Sequence, residues 1–457
     1  MTFNRRHLFA ALAGVASATA GVPALAREAT AAGRETSRRS GVEASQFGLR
    51  PNATEDQSKA FQRAIDSAAA AGVELRLARG IYRAGGLILP SYTAITGVAG
   101  ATHIVLAGGP NIFTATGSDY VAVHGLTLDG ANVPLPRQRG LIHIAQARAV
   151  RVVSCEVLNA AGPAIKLEGA QGEITGNMIS ASDTAIFCID ARGMKISGNT
   201  VRGAANNGIL VWRNTPGDDG TLVVDNRVED IANKSGGSGQ YGNAINVFRA
   251  DNVIVRGNRI RNAAFSAVRG NAASNLQIAD NTCTGLGEVA LYAEFGFQGA
   301  VIANNIVDGA AMGVSVTNFN DGGRLAVVQG NLIRNLVPRR PAGTDPNDDA
   351  GVGIGIEADT LVTGNVIENA PHAGITAGWG KYLRDVSITG NMIRETGYGI
   401  TVSVAPGAGT TLISNNLIAG ARLGAIVGME WKKPVADLAQ DGAPRYAQLS
   451  LSGNQVR

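Results

Sequence analysis

Arg269, Tyr292, Glu294 and Glu357 fall at matching places in a series of short alternating segments, and all four are residue types that move protons or flank a bond being cleaved. Segments such as Ala164-Ile165-Lys166-Leu167-Glu168, Ala244-Ile245-Asn246-Val247-Phe248 and Gly353-Ile354-Gly355-Ile356-Glu357 alternate in hydrophobicity. As strands they send Ile, Leu and Val inward and the intervening residues outward. Aligned, the first outward position runs through Lys166, Asn246, Arg269 and Tyr292, and the second through Glu168, Trp212, Phe248, Asn271, Glu294 and Glu357.

Two chemistries fit these columns. In a lyase or epimerase, Arg269 or Tyr292 removes the proton beside a uronate carboxylate that Lys166 or Arg269 neutralises. In a hydrolase, Glu294 and Glu357, two rungs or about 10 Å apart, act as a carboxylate pair near the upper end of the inverting spacing. Lys166, Glu168, Trp212, Asn246, Phe248 and Asn271 would bind substrate, the aromatic rings as flat platforms for sugars. Each of these residues alone is explained better by a solvated strand. Three exposed aromatic side chains on one face ask for a partner. A non-catalytic wall that binds or scaffolds envelope polysaccharide is the alternative.

For such columns to exist, the chain must wind so that equivalent segments stack. The repeats supply this: Ile174-Thr175-Gly176-Asn177-Met178-Ile179, Ile196-Ser197-Gly198-Asn199-Thr200-Val201 and Val255-Arg256-Gly257-Asn258-Arg259-Ile260 share one pattern, with further copies centred on Asn226, Asn281, Asn305, Asn331, Asn365, Asn391, Asn416 and Asn454. Leu126 and Cys155 take the same slot in two degenerate copies. Most intervals are 22 to 27 residues, and glycine-, proline- or charge-rich insertions lengthen the rest. The asparagines are expected to occupy tight turns in the left-handed conformation and to join their amides in a ladder. The expected fold is all-β, a right-handed parallel β-helix of about thirteen coils and about 60 Å. Insertions over 129–139, 229–243 and 335–350 before the outward strand, and 213–221, 378–385 and 430–448 after it, would wall a groove.

Composition agrees: 60 glycines, 5% aromatic and 17% charged residues suit many short strands. The net charge of +4, with acidic and basic residues interspersed, gives no nucleic-acid footprint. Cys155, Cys188 and Cys283 are widely separated and read as small buried residues. No metal site is assigned and the cofactor is unknown. The insertion Thr344-Asp345-Pro346-Asn347-Asp348-Asp349 offers oxygen ligands for calcium but reads first as a solvated turn.

Arg5-Arg6, an alanine-rich apolar run and Ala24-Leu25-Ala26 predict an export signal over 1–26 with a twin-arginine pair, hence a partner translocase and a periplasmic or secreted product. No later stretch is apolar enough to span a membrane. Residues 27–45 are expected to be a flexible linker, and 46–457 a single domain whose segment 46–110 is a cap. There Ala60, Phe61, Ala64, Ile65 and Ala68 have helical spacing, capped by Asn52 or Thr54. The segment from Phe47-Gly48 through Gly80-Ile81-Tyr82 resembles the start of pectin-lyase-like β-helix proteins. With the twin-arginine signal and the GN-x-I repeats, the chain resembles a family of twin-arginine-translocated β-helix repeat proteins in that superfamily. The resemblance implies the fold, export, and a polysaccharide partner. Pectate and alginate lyases, mannuronan epimerases and polygalacturonases of that superfamily act on acidic polymers. The N-T-D, D-D and G-H-G signatures of polygalacturonases and the D-P-H-D of periplasmic alginate epimerases are not found at corresponding strands.

Overall fold

The computed structural model describes residues 41–457 except 138, 346 and 347, so the expected export signal and the linker up to residue 40 lie outside the described residues. A typical coil gives three short parallel strands, each paired with its counterpart in the next coil. Sheet I contains Ile142–Ala145, Ile165–Glu168 and their successors; sheet II contains Val150–Val153 and Gly172–Thr175; sheet III contains Glu156–Ala160 and Met178–Ser182. The architecture is a right-handed parallel β-helix. Sheet II has sixteen strands, which at about 4.8 Å per rung make the rod roughly 70 Å long, somewhat more than the sequence suggests. Sheets I and III join into one of twenty-seven strands, because segments such as Val366–Ala377 and Met392–Ser403 run around the corner between them.

Stacking like on like fills the interior. Ile142, Ile165, Ile186, Ile209, Ile245, Val268 and Leu291 lie in direct register along sheet I, all fully buried. Each such side chain contributes about 1.5–3 kcal/mol on leaving water. Cys155, Cys188 and Cys283 are free thiols inside this core, and burial raises Cys155 to about 11.

The corner between sheets II and III is held by side-chain amides. From Asn177 through Asn199, Asn226, Asn258, Asn281, Asn305, Asn331, Asn365, Asn391 and Asn416 to Asn454, each Nδ2 donates to the Oδ1 of the next at 2.9–3.0 Å. From Asn199 onward each Oδ1 also accepts the backbone N–H of the asparagine before it, as Asn281 does from Asn258 at 2.9 Å, and Asn177 Oδ1 accepts that of Cys155. The expected conformation needs correcting. The asparagines have ordinary negative φ, and the preceding residue, such as Gly176, Gly198, Asp225, Gly257 or Asp280, takes the left-handed one. Turn geometry therefore selects the residue before the asparagine, while the ladder selects the asparagine.

At the N-terminal end, helix α1 (Ser58–Ala71) buries Phe61, Ala64, Ile65 and Ala68. Neither Asn52 nor Thr54 caps it. Asp56 Oδ1 accepts the Ser58 N–H at 2.8 Å, and Asn52 Oδ1 instead accepts the Ile81 N–H. The solenoid also begins earlier than expected: Val42–Glu43, assigned to the linker, pair with Leu75–Arg76 in sheet II.

Replacing Asn281 by Ala takes the acceptor from the buried Asn258 backbone N–H and from one of the two Nδ2 N–H groups of Asn258, while Nδ2 keeps its bond to the Val223 carbonyl. A loss of about 3 kcal/mol is expected in urea unfolding; a loss under about 0.5 kcal/mol would contradict the ladder's role.

Candidate active site

The outward columns have the register read from the sequence. His143, Lys166, Phe187, Leu210, Asn246, Arg269, Tyr292, Ser315, Gly355 and Thr376 are aligned rung by rung. Beside them run Glu168, Ile189, Trp212, Phe248, Asn271 and Glu294. The expected exposure does not hold. Lys166, Asn246 and Glu294 are buried, and the Arg269 side chain is 11% exposed. Strand alternation sets direction only, and the overlying insertions decide what remains in water. Gly239 lies so close above Arg269 that a Cβ there would overlap the guanidinium.

Beneath this cover Arg269 forks onto Glu294 at 2.6 and 3.0 Å, Asn271 donates to the same carboxylate at 2.8 Å, and Tyr292 lies 5.2 Å from the guanidinium. The network continues through Glu288, which the sequence reading missed: Arg269 approaches it at 3.7 Å, and Arg340 of the 335–350 insertion at 3.4 Å. Arg340 then meets Asp348 at 3.6 Å. Such a network fixes a floor and roof. It leaves Glu294 poorly placed to reach substrate, and burial pushes the Tyr292 hydroxyl well above its usual value, away from service as a base.

Two of the expected binding groups sit apart. Lys166 pairs with Glu168 at 2.6 Å near one end of the column. Trp212 and Phe248 stack at 4.1 Å, half-buried, with Arg249 over the phenyl ring at 4.8 Å.

Glu357 is different. It lines a cleft of about 350 Å³ with Tyr292, Ser315, Thr317, Thr376 and Trp379 on the sheet side and Arg340, Asp345, Asp348 and Asp349 on the insertion side. The Phe319 N–H donates to Glu357 at 2.7 Å, yet burial dominates and raises its proton affinity. Asp348, half exposed, is raised as well, by partial desolvation and by the neighbouring Asp345 and Asp349 against the opposing pull of Arg340. The expected partner of Glu357 was Glu294; the carboxyls that share its cleft are Asp345, Asp348 and Asp349, from the segment read as a solvated turn, and of these Asp348 has a raised proton affinity. Only the three-dimensional path of the insertion reveals this. Pro346 and Asn347 of that segment lie outside the described residues, and no cluster of three acidic, histidine or cysteine ligands that could hold a metal occurs among the described residues.

Trp379 lines the cleft, with Trp431 edge-on to it at 5.5 Å. Gly380 allows this contact, since a Cβ there would strike the Trp431 ring. A larger, shallower hollow of about 1170 Å³ lies on sheet II, where Asp359 is clamped by Arg324 and Arg384 and held below the usual carboxylate range. A carboxylate so paired is poor at exchanging protons, and the cleft at Glu357 is the stronger candidate.

Two outcomes follow. Arg269→Ala should destabilise the fold by about 3–5 kcal/mol in urea unfolding, because it strands the buried Glu294 charge, and Arg269→Lys should restore only part of that loss. Because Glu357 is raised above its ordinary 4.5, its stabilising share is complete below that value and lost as pH rises through the folded one. Glu357→Gln should therefore flatten the dependence of stability on pH from about 4.5 upward; an unchanged profile would contradict the burial effect.

In sequence, residues 109–228 match the model of a right handed beta helix region, and no curated protein matches the chain. Among solved structures, the chain is similar to the catalytic unit of a thermostable GH87 alpha-1,3-glucanase from Streptomyces thermodiastaticus, at 18% identity over 96% of this chain and 70% of that one, TM-score 0.44. It is similar also to a surface protein and adhesin of Streptococcus pneumoniae, at 13% identity over 91% and 97%, TM-score 0.45. A third is the A-module of a mannuronan C-5 epimerase from Azotobacter vinelandii, at 15% identity over 91% and 99%, TM-score 0.42. A shared coil says nothing about which reaction, if any, this chain carries out.

Proposed function

We propose that this protein is a carbohydrate-active enzyme that hydrolyses a polysaccharide lying along sheet I, with Glu357 and Asp348 as the acid–base pair. The supporting observation is that two carboxyls with raised proton affinity, the enclosed Glu357 and the half-exposed Asp348, line one cleft together with Trp379. Glu357, the more enclosed, holds its proton above the usual carboxylate range and donates it to the glycosidic oxygen as the carbon–oxygen bond breaks. Asp348 takes the proton of the water that attacks the anomeric carbon. Trp379 offers an apolar face to a neighbouring sugar ring.

Charge bears on the substrate. Glu357, Asp345, Asp348 and Asp349 line the cleft against Arg340, so a uronate carboxylate would enter an acidic site. This favours a neutral chain over the acidic polymer suggested by the sequence, and hydrolysis over proton abstraction by Arg269 or Tyr292. Export by the twin-arginine route, with a periplasmic or secreted destination, remains part of the proposal and rests on Arg5, Arg6 and the apolar run after them. No helix among the described residues is long and apolar enough to cross a membrane.

Glu357→Gln and Asp348→Asn should each lower reducing-sugar release from neutral glucans by about 100-fold or more while the chain still folds, as read by circular dichroism. Release of unsaturated products from polyuronates, detected by ultraviolet absorbance and unaffected by either substitution, would overturn the hydrolase reading. Binding of glucans without any cleavage would leave the protein a polysaccharide-binding wall.

A further inference from the structure

Sheet III carries a charge pattern that the cleft does not use. On four consecutive rungs its second outward column reads Asp308, Arg334, Glu368, Arg394, with signs alternating. Arg334 pairs with Asp308 at 2.9 Å and Arg394 with Glu368 at 3.5 Å. Nearer the N-terminus the same column reads Arg202, Glu229, Arg261, again alternating. This is the inexpensive arrangement, because like charges directly opposite on adjacent strands repel.

The first outward column breaks the rule. Arg227 and Arg259 stand in direct register one rung apart, both exposed. Further along, that column turns aliphatic, with Ile306, Leu332 and Val366. Glu229, buried, is already shared by Arg202, Arg227 and Arg261 at 3.1, 3.2 and 3.5 Å, and Arg259 has no ion-pair partner among the described residues. Three guanidiniums thus share one carboxylate, and a fourth, Arg259, stands in register beside Arg227. Each carries five N–H donors, so most of them point to solvent.

We propose that Arg202, Arg227, Arg259 and Arg261 form a docking surface for an anionic polysaccharide that presents a carboxylate on successive rings. Planar guanidinium forks match carboxylates in a bidentate manner, and the roughly 4.8 Å rung spacing offers them at a regular interval along the rod. The flanking residues of the column, Thr200 and Thr282, are small and polar, with Met178 and Ile306 one rung further out on either side, so no aromatic platform for a nucleic-acid base stands beside the arginines. The surface belongs to a different sheet from the cleft and has the opposite sign. It would hold the rod on an acidic matrix while sheet I stays open to another chain. This surface does not depend on the hydrolase reading.

Binding of the full chain to immobilised polygalacturonate tests the proposal, with neutral dextran, single-stranded DNA and phosphatidylserine vesicles as comparisons. Arg227→Gln/Arg259→Gln should weaken polygalacturonate binding at least tenfold and reduce its sensitivity to salt, while Glu357→Gln binds like the unaltered protein. Arg259→Gln alone, which breaks no ion pair, should weaken binding with an unchanged melting temperature even if the double variant melts early. Undiminished binding by Arg259→Gln and the double variant, retention on dextran equal to that on polygalacturonate, or tighter binding to DNA or vesicles would each overturn the proposal.

Discussion

A stack of parallel coils must answer one question at every corner: what satisfies the polar groups of a turn when its only neighbours are identical turns above and below. The asparagine column answers it, because a primary amide donates and accepts at the same height and so can repeat indefinitely. The interaction also fixes registration. Since period two governs the strands, a slip of one residue at the corner would turn every inward isoleucine outward. The alignment of Lys166 with Arg269 and Tyr292 on sheet I, and of Arg227 with Arg259 on sheet III, thus depends on a hydrogen bond made elsewhere in the coil.

Much of this frame was legible in the residues. Alternation such as Ile165-Lys166-Leu167-Glu168 settles which side chains leave the core, and the recurrent glycine–asparagine pair marks where each coil bends. The conformation at that bend was misassigned by one residue. Gly257 and Asn258 both suit a turn by type, and propensity alone does not say which takes the left-handed angle. The cost of a Cβ there and the gain from an amide pair are separate demands, met by adjacent positions.

The candidate site was less legible, for a physical reason. Solvent access depends on segments without periodicity, and the insertions carrying Gly239 and Arg340 fold back over sheet I along paths that no local pattern encodes. Arg269 and Glu294 look like exposed catalytic groups in one dimension and prove to be a desolvated pair in three. Asp348 shows the converse. In the sequence it is one acid in a polar turn; in the fold it lines the same cleft as Glu357, where partial loss of water and the neighbouring Asp345 and Asp349 outweigh Arg340 and raise its proton affinity. Glu288, unremarkable in sequence, joins the floor to the roof because it lies between Arg269 and Arg340.

The three thiols enclosed in the core have a practical consequence. A solenoid whose units touch only their neighbours can open in parts rather than all at once. Cys155 lies toward one end of the rod, Cys188 in a following coil, and Cys283 nearer the middle, each shut away from solvent. Their rates of alkylation under mild denaturant would read out the sequence of opening along the axis without any added label, separating a rod that peels from its tip from one that gives way at its centre.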